Sequence, residues 1–174
     1  MTITLHKLRI GDEHFLYGLM NSDQDIINAS LKSDFSKWQK MVEWAVKNPD
    51  DLYWKIKLDD VDCGYIGFAP IKGKISLDPI KRKLRDDDVN LVLEIYLLKE
   101  YRGLSIAKYA YQESVAIIRS MYPEQIIKIF ASTYITNTKA QRFFVDGIGM
   151  TLSHYYKDIS VIFADEYHPF IDDN

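Results

Sequence analysis

The chain has a single cysteine, Cys63, so no disulfide can form within it, and the composition suits a reducing cytoplasm. No apolar stretch approaches membrane-spanning length, and the opening MTITLHKLRIGDEH lacks the pattern of a secretion signal. A membrane role is therefore not expected. Positive charge is not in excess either: 22 Lys and Arg against 25 Asp and Glu leave a net charge of −3. No global basic field draws such a chain to nucleic acid or acidic lipid. Internal repeats and low-complexity segments are absent. What is present is 47% apolar and 27% charged residues in 174, the balance and length of one globular domain over 1–174.

The most informative stretch is LVLEIYLLKEYRGLSIAKYAYQ, Leu91 to Gln112. Leu91–Leu98 is an apolar run interrupted by one carboxylate, Glu94, which predicts a strand buried on both faces. Lys99-Glu100-Tyr101-Arg102-Gly103 then makes a polar turn. From Leu104 the period becomes helical, with Ile106, Ala107, Ala110, Tyr111 and Ser114 spaced by three and four. A strand passing through a small-residue turn into a helix collects backbone N–H groups at the positive end of a helix dipole, where a phosphate binds.

Upstream, Thr2–Leu8 reads as an edge or near-edge strand. Asp12 is a reasonable N-cap for a helix over Glu13–Met20 with Phe15, Leu16, Leu19 and Met20 on one face. A second helix starts near Ser36, carries Trp38, Met41, Val42, Ala45 and Val46 at helical spacing, and stops before Asn48-Pro49. Trp38 reads as core. Leu52–Leu58 and Cys63–Ala69 form an antiparallel hairpin around Asp59, Asp60 and Asp62. Those aspartates lack the glycine and bidentate glutamate of a calcium loop and read as a solvated turn. Cys63 reads as a small buried side chain, since no nearby group would stabilise its thiolate. Pro70–Asn90 is irregular, its basic and acidic runs cancel, and a short helix or flap is expected there. Downstream, Ile126–Thr133 is an apolar strand and Thr136–Val145 a capped helix. Thr151–Tyr156 and Ser160–Ala164 form a closing hairpin.

Two of these segments resemble the signatures of the GNAT (Gcn5-related) N-acetyltransferase family. Tyr101-Arg102-Gly103-Leu104-Ser105-Ile106-Ala107 is similar to its acyl-CoA pyrophosphate loop, Arg/Gln-x-x-Gly-x-Gly/Ala, with Arg102 first, Ser105 where a glycine is usual, and Ala107 last. Asn137, Ala140, Phe143 and Gly149 match the second signature, with Met150 for its final Phe. The resemblance covers about residues 91 to 150. Its branch is open, loosely like the protein-N-terminus (ribosomal-protein alanine) or nucleotide-amino-sugar acetyltransferases.

The resemblance implies an α/β fold with a central mixed sheet of about six or seven strands flanked by helices. It implies that acetyl-CoA is the acyl donor, with no metal, and that its pantetheine arm lies between two splayed strands. Ile95, Tyr96, Leu97 and Leu98 would pair with pantetheine. Arg102, Gly103, Leu104, Ser105, Ile106, Ala107 and Lys108 would surround the pyrophosphate, and Asn137 and Phe144 would lie near the pantetheine or thioester. Asn137 also suits a helix cap. The implied activity is transfer of acetyl to a primary amine of an amino sugar, a polyamine or a peptide N-terminus. The alternative is an acyl-CoA-binding or regulatory protein with little catalysis.

Direct attack needs a free amine, a polarised carbonyl and a proton for the leaving thiolate. Glu94 is the candidate base, because desolvation within an apolar strand raises a carboxyl pKa. Alternation alone leaves its face open, and a solvated or ion-paired Glu94 is the competing reading. The family's usual acid, a tyrosine, is replaced by Phe144. Tyr134, Ser132, Thr133 or water must take that role, or catalysis is weak. Partners are then a small or peptide amine, with neither nucleic acid nor membrane, and a homodimer is left open.

Overall fold

The computed structural model describes residues 1–29, 34–48, 50–71, 87–156 and 160–169. Its strands are β1 (Ile3–Lys7), β2 (Tyr53–Leu58), β3 (Val61–Pro70), β4 (Val89–Leu97), β5 (Ile127–Tyr134), β6 (Thr151–Tyr156) and β7 (Ser160–Tyr167). They form one seven-stranded sheet in the order β1-β2-β3-β4-β5-β7-β6. The β4–β5 pair is parallel, whereas β1–β2, β2–β3, β5–β7 and β6–β7 are antiparallel. This is the mixed sheet that the resemblance implies. Flanking it are α1 (Asp12–Met20), α2 (Gln24–Ala29), α3 (Phe35–Lys47), α4 (Ile106–Met121) and α5 (Thr138–Arg142). Among the described residues no helix is long and apolar enough to cross a membrane. The chain divides into two compact units, Met1–Gly67 with Glu94–Ser114, and Phe68–Leu93 with Val115–Asn174.

In the first unit, α1 and α3 bury most of the apolar stripes read from their spacing: Phe15 and Met41 are partly buried and Val46 is exposed, whereas Leu16, Leu19 and Met20 on α1 and Trp38, Val42 and Ala45 on α3 are buried. They meet Leu8, Ile26 and Tyr65 in one core. Each such side chain contributes about 1.5–3 kcal/mol of burial. The start of α1 differs from expectation, and α3 starts near Ser36 as read. Gly11, at φ +103°, occupies the N-cap of α1, and Asp12 is already helical. Asp12 has other partners: its carboxylate accepts from the Arg9 N–H at 2.8 Å and pairs with Lys55 at 2.7 Å. In α3 the cap is Asp34, which accepts from the Lys37 N–H at 3.0 Å and the Ser36 hydroxyl at 2.7 Å. The cap lies two residues before Ser36 because an ionised carboxylate is the stronger acceptor for helix N–H groups.

The β2–β3 hairpin turns at Asp59-Asp60, both at positive φ (47° and 68°). Such a two-residue turn matches the strand twist, and Asp tolerates it better than most residues. Asp62 belongs to β3 rather than to the turn, and its carboxylate pairs with Lys55 at 2.8 Å and Lys57 at 3.6 Å. Cys63 is buried, and desolvation raises its thiol to about 11, which keeps it protonated and inert.

In the second unit β4 and β5 pair over Val89–Val92 and Ile127–Phe130, and β5 continues into β7 from Ile127↔Tyr167 to Tyr134↔Ser160. The closing hairpin is therefore inserted with β7 inside and β6 at the edge. Pro70–Asn90, expected to be irregular, is strand at both ends, where the Ile71 N–H donates to the Asn90 carbonyl at 2.9 Å. The expected flap itself, 72–86, lies outside the described residues.

Asp51, just before β2, is only 6% exposed, and among the described residues its Oδ2 has no hydrogen-bond partner. Desolvation raises its carboxyl to about 6, against the pull of Lys7 and of the Leu52 N–H. The folded value lies above the unfolded one of 3.8, so this group favours folding most at low pH. That contribution fades as pH rises from about 4 through about 6. Asp51→Asn removes the charge and supplies a donor. Unfolding at pH 8 should show it more stable than the parent by roughly 2 kcal/mol. The gain should vanish below pH 4, and a gain independent of pH would refute the cause.

Candidate active site

The strand β4 is less enclosed than its composition predicts. Leu91, Leu93 and Leu97 are buried, but Val92 and Tyr96 are only half-buried and Glu94 is exposed. Alternation puts Glu94 and Tyr96 on one face. Tyr96 packs there against the core formed by α1, α3 and β3, which assigns Glu94 to the face carrying these helices. Exposure of Glu94 does not make it a solvated surface group. The protein mass around it raises its pKa by desolvation, while Lys37 on α3 and a hydrogen bond from Tyr65 pull the value back down. Glu94 is thus accessible and at the same time partly desolvated by its neighbours.

Three phenols lie close enough to feel its charge. Tyr65 on β3 is fully buried. Its ring stacks on Tyr53 of β2 (6.1 Å, 10°) and meets Trp38 of α3 edge-on (6.3 Å, 80°). Tyr96 is raised to about 12 by desolvation and next by the charge of Glu94, and the same two causes hold Tyr53 and Tyr65 higher still. All three therefore stay neutral phenols at physiological pH, leaving Glu94 as the group among them that can take a proton. Sequence reading found Glu94 but missed Tyr53, Tyr65 and Lys37. The one available signal was their phase: Tyr53 is opposite Gly67 in the register, two residues from Tyr65.

The loop after β4 begins with a 3-10 turn, Lys99–Tyr101. Gly103 and Ser105 then take positive φ (77° and 61°), and α4 starts at Ile106 with the Tyr109 N–H donating to the Ser105 carbonyl at 3.1 Å. The helix thus starts two residues after Leu104, because a left-handed Ser105 cannot be part of a right-handed helix. Gly103, Leu104, Ser105 and Lys108 are exposed, Ala107 is half-buried, and Ile106 is buried as the anchor of the first turn. The first N–H groups of this 16-residue helix have no partner within it.

Arg102 does not direct its guanidinium to this loop. Its Nε donates to the Leu97 carbonyl at 3.0 Å and its Nη2 pairs with Asp23 at 2.6 Å, with Asp25 at 3.6 Å. Of the four residues expected to pair with pantetheine, Leu98 gives its N–H to Cys63 on β3, and the Tyr96 carbonyl faces Gly64 on the same strand. Ile95 and Leu97 alternate with these and direct their backbone groups the other way.

In the second unit, Asn137 caps α5, its Oδ1 accepting from the Ala140 N–H at 3.2 Å. Phe144 lies in a π-helical turn, Phe143–Gly147, that replaces the last turn of the expected helix. It is 6% exposed and packs on Phe163 at 5.3 Å. Tyr134 ends β5, 39% exposed, and its carbonyl accepts from the Asn137 N–H at 2.9 Å.

A left-handed conformation costs a residue bearing a Cβ about 1–2 kcal/mol. Ser105→Gly should therefore raise stability by about 1 kcal/mol in chemical denaturation, after the extra entropy of an unfolded glycine is subtracted. Destabilisation would instead mean that the Ser105 hydroxyl holds the loop.

A model of the acetyltransferase (GNAT) family matches residues 17–150. Among curated proteins no sequence matches. Solved structures do resemble the chain. An acetyltransferase from Thermus thermophilus has a TM-score of 0.71 at 13% identity, over 96% of this chain and 98% of that one. The PaiA N-acetyltransferase from Thermoplasma acidophilum, in complex with coenzyme A, gives 0.69 at 18%, over 96% and 100%. A chimera of spermidine N-acetyltransferase SpeG from Vibrio cholerae and hSSAT gives 0.68 at 13%, over 94% and 95%. These likenesses establish the fold, and the family match spans well over half of the sequence: the chain belongs to the GNAT acetyltransferase family.

Proposed function

We propose that this protein is an acetyl-CoA-dependent N-acetyltransferase acting on a primary amine by direct attack, with Glu94 as general base. The observation that carries the reading is Glu94 itself, an accessible carboxylate whose pKa is raised by desolvation, on the strand that leads into an exposed loop and helix N-terminus. A base with a value above the ordinary carboxylate range accepts a proton more effectively near neutral pH. The amine nitrogen, deprotonated by Glu94, attacks the thioester carbon. The C–S bond breaks, and the coenzyme A thiolate takes a proton from Tyr134 or from water.

The loop suits a pyrophosphate. Left-handed residues at Gly103 and Ser105 turn successive N–H groups, and the N–H groups of Ile106, Ala107 and Lys108 open the helix. Lys108 adds positive charge. Arg102 is better read as a strut than as a phosphate ligand, since its guanidinium is committed to Asp23 and the Leu97 carbonyl. The acceptor classes are an amino sugar, a polyamine or a peptide N-terminus. PaiA and SpeG, as N-acetyltransferases of similar fold, support an amine acceptor. The second reading, acyl-CoA binding with little catalysis, draws on Phe144, which has no hydroxyl and is buried against Phe163.

Acetyl-CoA at about a hundredfold above its dissociation constant should stabilise the protein by roughly 2.7 kcal/mol. No melting shift at millimolar acetyl-CoA would sink the reading at its first step. In a thiol-release assay over a panel of amines, kcat/KM of the parent should rise with pH through a limb above the ordinary carboxylate range. Glu94→Gln should lower the rate roughly a hundredfold and abolish that limb. Its affinity for acetyl-CoA should change little. Thermal stabilisation without thiol release from any amine would favour the second reading.

A further inference from the structure

We propose that Asp23 is a positioning residue for the acyl donor: through Arg102 it holds the backbone that binds the anion, without touching the anion itself. This rests on the reading of the loop after β4 as the pyrophosphate site. Three segments meet at one guanidinium. Arg102 Nε donates to the Leu97 carbonyl at the end of β4 at 3.0 Å, and Nη2 donates to Asp23 Oδ2 at 2.6 Å. Nη1 lies 3.6 Å from Asp25 Oδ2. The other Asp23 oxygen, Oδ1, accepts from the Ile26 N–H at 3.1 Å, and Ile26 is buried in the core of this unit. One carboxylate thus starts α2 and anchors the arginine. The arginine in turn bridges the 3-10 turn between β4 and Gly103.

The charges argue for position over attraction. One cation facing two carboxylates offers an anion no net pull. Two of its nitrogens already donate to protein oxygens, and the planar fork fixes the directions of those bonds. The Arg102 and Asp23 side chains are 32% and 17% exposed, so their bond is less screened than one on open surface. The backbone next to it is the part that needs holding. Directly after Arg102, Gly103 and Ser105 take φ of 77° and 61°, and Gly103, Leu104 and Ser105 are exposed. Their N–H groups point at an anion only while these angles are kept, and ordering a loose loop on binding lowers affinity. An arginine clamped between β4 and Asp23 keeps that order in place beforehand.

The test measures acetyl-CoA binding by calorimetry at fixed ionic strength, with kcat and the KM for acetyl-CoA from thiol release. Asp23→Asn removes the charge, and asparagine caps a helix about as well as aspartate, so α2 keeps its start. It should weaken acetyl-CoA binding about tenfold, the scale of one hydrogen bond to a charged group. The KM should rise to match while kcat stays within about twofold. Asp25→Asn makes the same charge change at the longer, more exposed contact and should alter binding less than about twofold. Removing a carboxylate near an anion site favours the anion by charge alone, so a loss specific to Asp23→Asn reports position. Arg102→Lys keeps the charge but cannot bond Asp23 and the Leu97 carbonyl together. It should lose about as much as Asp23→Asn, and the double variant should lose little more. Tighter binding in Asp23→Asn overturns the proposal, since Asp23 would then be withholding the arginine from the anion. Additive losses overturn it too. So does an Asp23→Asn protein that melts lower yet binds acetyl-CoA as the parent does, the result for a merely structural aspartate. Should Asp23→Asn not fold, Arg102→Lys decides, and parental affinity in it overturns the proposal. A parent that binds no acetyl-CoA shows instead that the reading of the loop as the donor site has failed, and the proposal falls with it.

Discussion

The packing of the first unit depends on a side chain that is missing at Gly67. A Cβ there would come within 2.1 Å of the Tyr53 ring and 2.5 Å of the Tyr65 hydroxyl, distances no neighbour of that size can relieve by a small shift. Tyr53 lies opposite Gly67 in the register and covers it, the way an aromatic ring protects the bare backbone of a strand glycine. Tyr65 then stacks on Tyr53, and Trp38 closes the far edge. Gly64, three residues away and therefore on the opposite face of β3, makes a separate close approach, where a Cβ would collide with Leu97 and the Tyr96 carbonyl. Gly67 thus leaves the room in which the Tyr53 and Tyr65 rings stack.

Two acids in this unit are shifted alike but partnered differently. Asp51 and Glu94 are both raised by desolvation, but Asp51 has an orphaned oxygen whereas Glu94 has Lys37 and Tyr65. An unpartnered buried oxygen is a net cost to folding, typically about 1–3 kcal/mol. A partnered carboxylate at an accessible position has a smaller cost and keeps its proton chemistry. The difference separates a strained structural group from a group suited to work. It also explains why three tyrosines so near an acid do not compete with it, since the charge of Glu94 itself helps hold their protons.

Local physics was legible in the sequence, and contacts between distant segments were not. The strand–turn–helix at Leu91–Gln112, the stripes of α1 and α3 and the hairpin around Asp59-Asp60 follow from period and turn chemistry, and all are present. Departures arise where a local rule has a distant competitor. Asp12 reads as a cap until Lys55, 43 residues away, takes its carboxylate. Arg102 reads as a phosphate ligand until Asp23, 79 residues away, takes its guanidinium. The face of Glu94 depends on which helices cover β4, and no alternation within the strand carries that information. The π-helical turn at Phe143–Gly147, which sets Phe144 against Phe163, was likewise not read from its own residues.

The commitment of Arg102 changes how the loop is to be understood. With its guanidinium held between Asp23 and the Leu97 carbonyl, the arginine fixes the geometry of the segment from Leu97 to Gly103 and ties it to the start of α2. Asp23 is doubly engaged, since its other oxygen accepts from the Ile26 N–H at 3.1 Å and so caps that helix. In the function proposed above, the anion is held by backbone N–H groups and Lys108, not by a side-chain fork. Backbone donors are aimed by dihedral angles alone. A site of this kind is set by the conformations of Gly103 and Ser105, and its tolerance for a serine at φ 61° is a statement about loop energy as much as about ligand contact. Any interaction that stiffens the loop from outside offsets that strain, and the Arg102–Asp23 pair is placed to do so. In that proposed function the arginine of the motif serves the anion site at one remove, by holding the backbone that would do the binding.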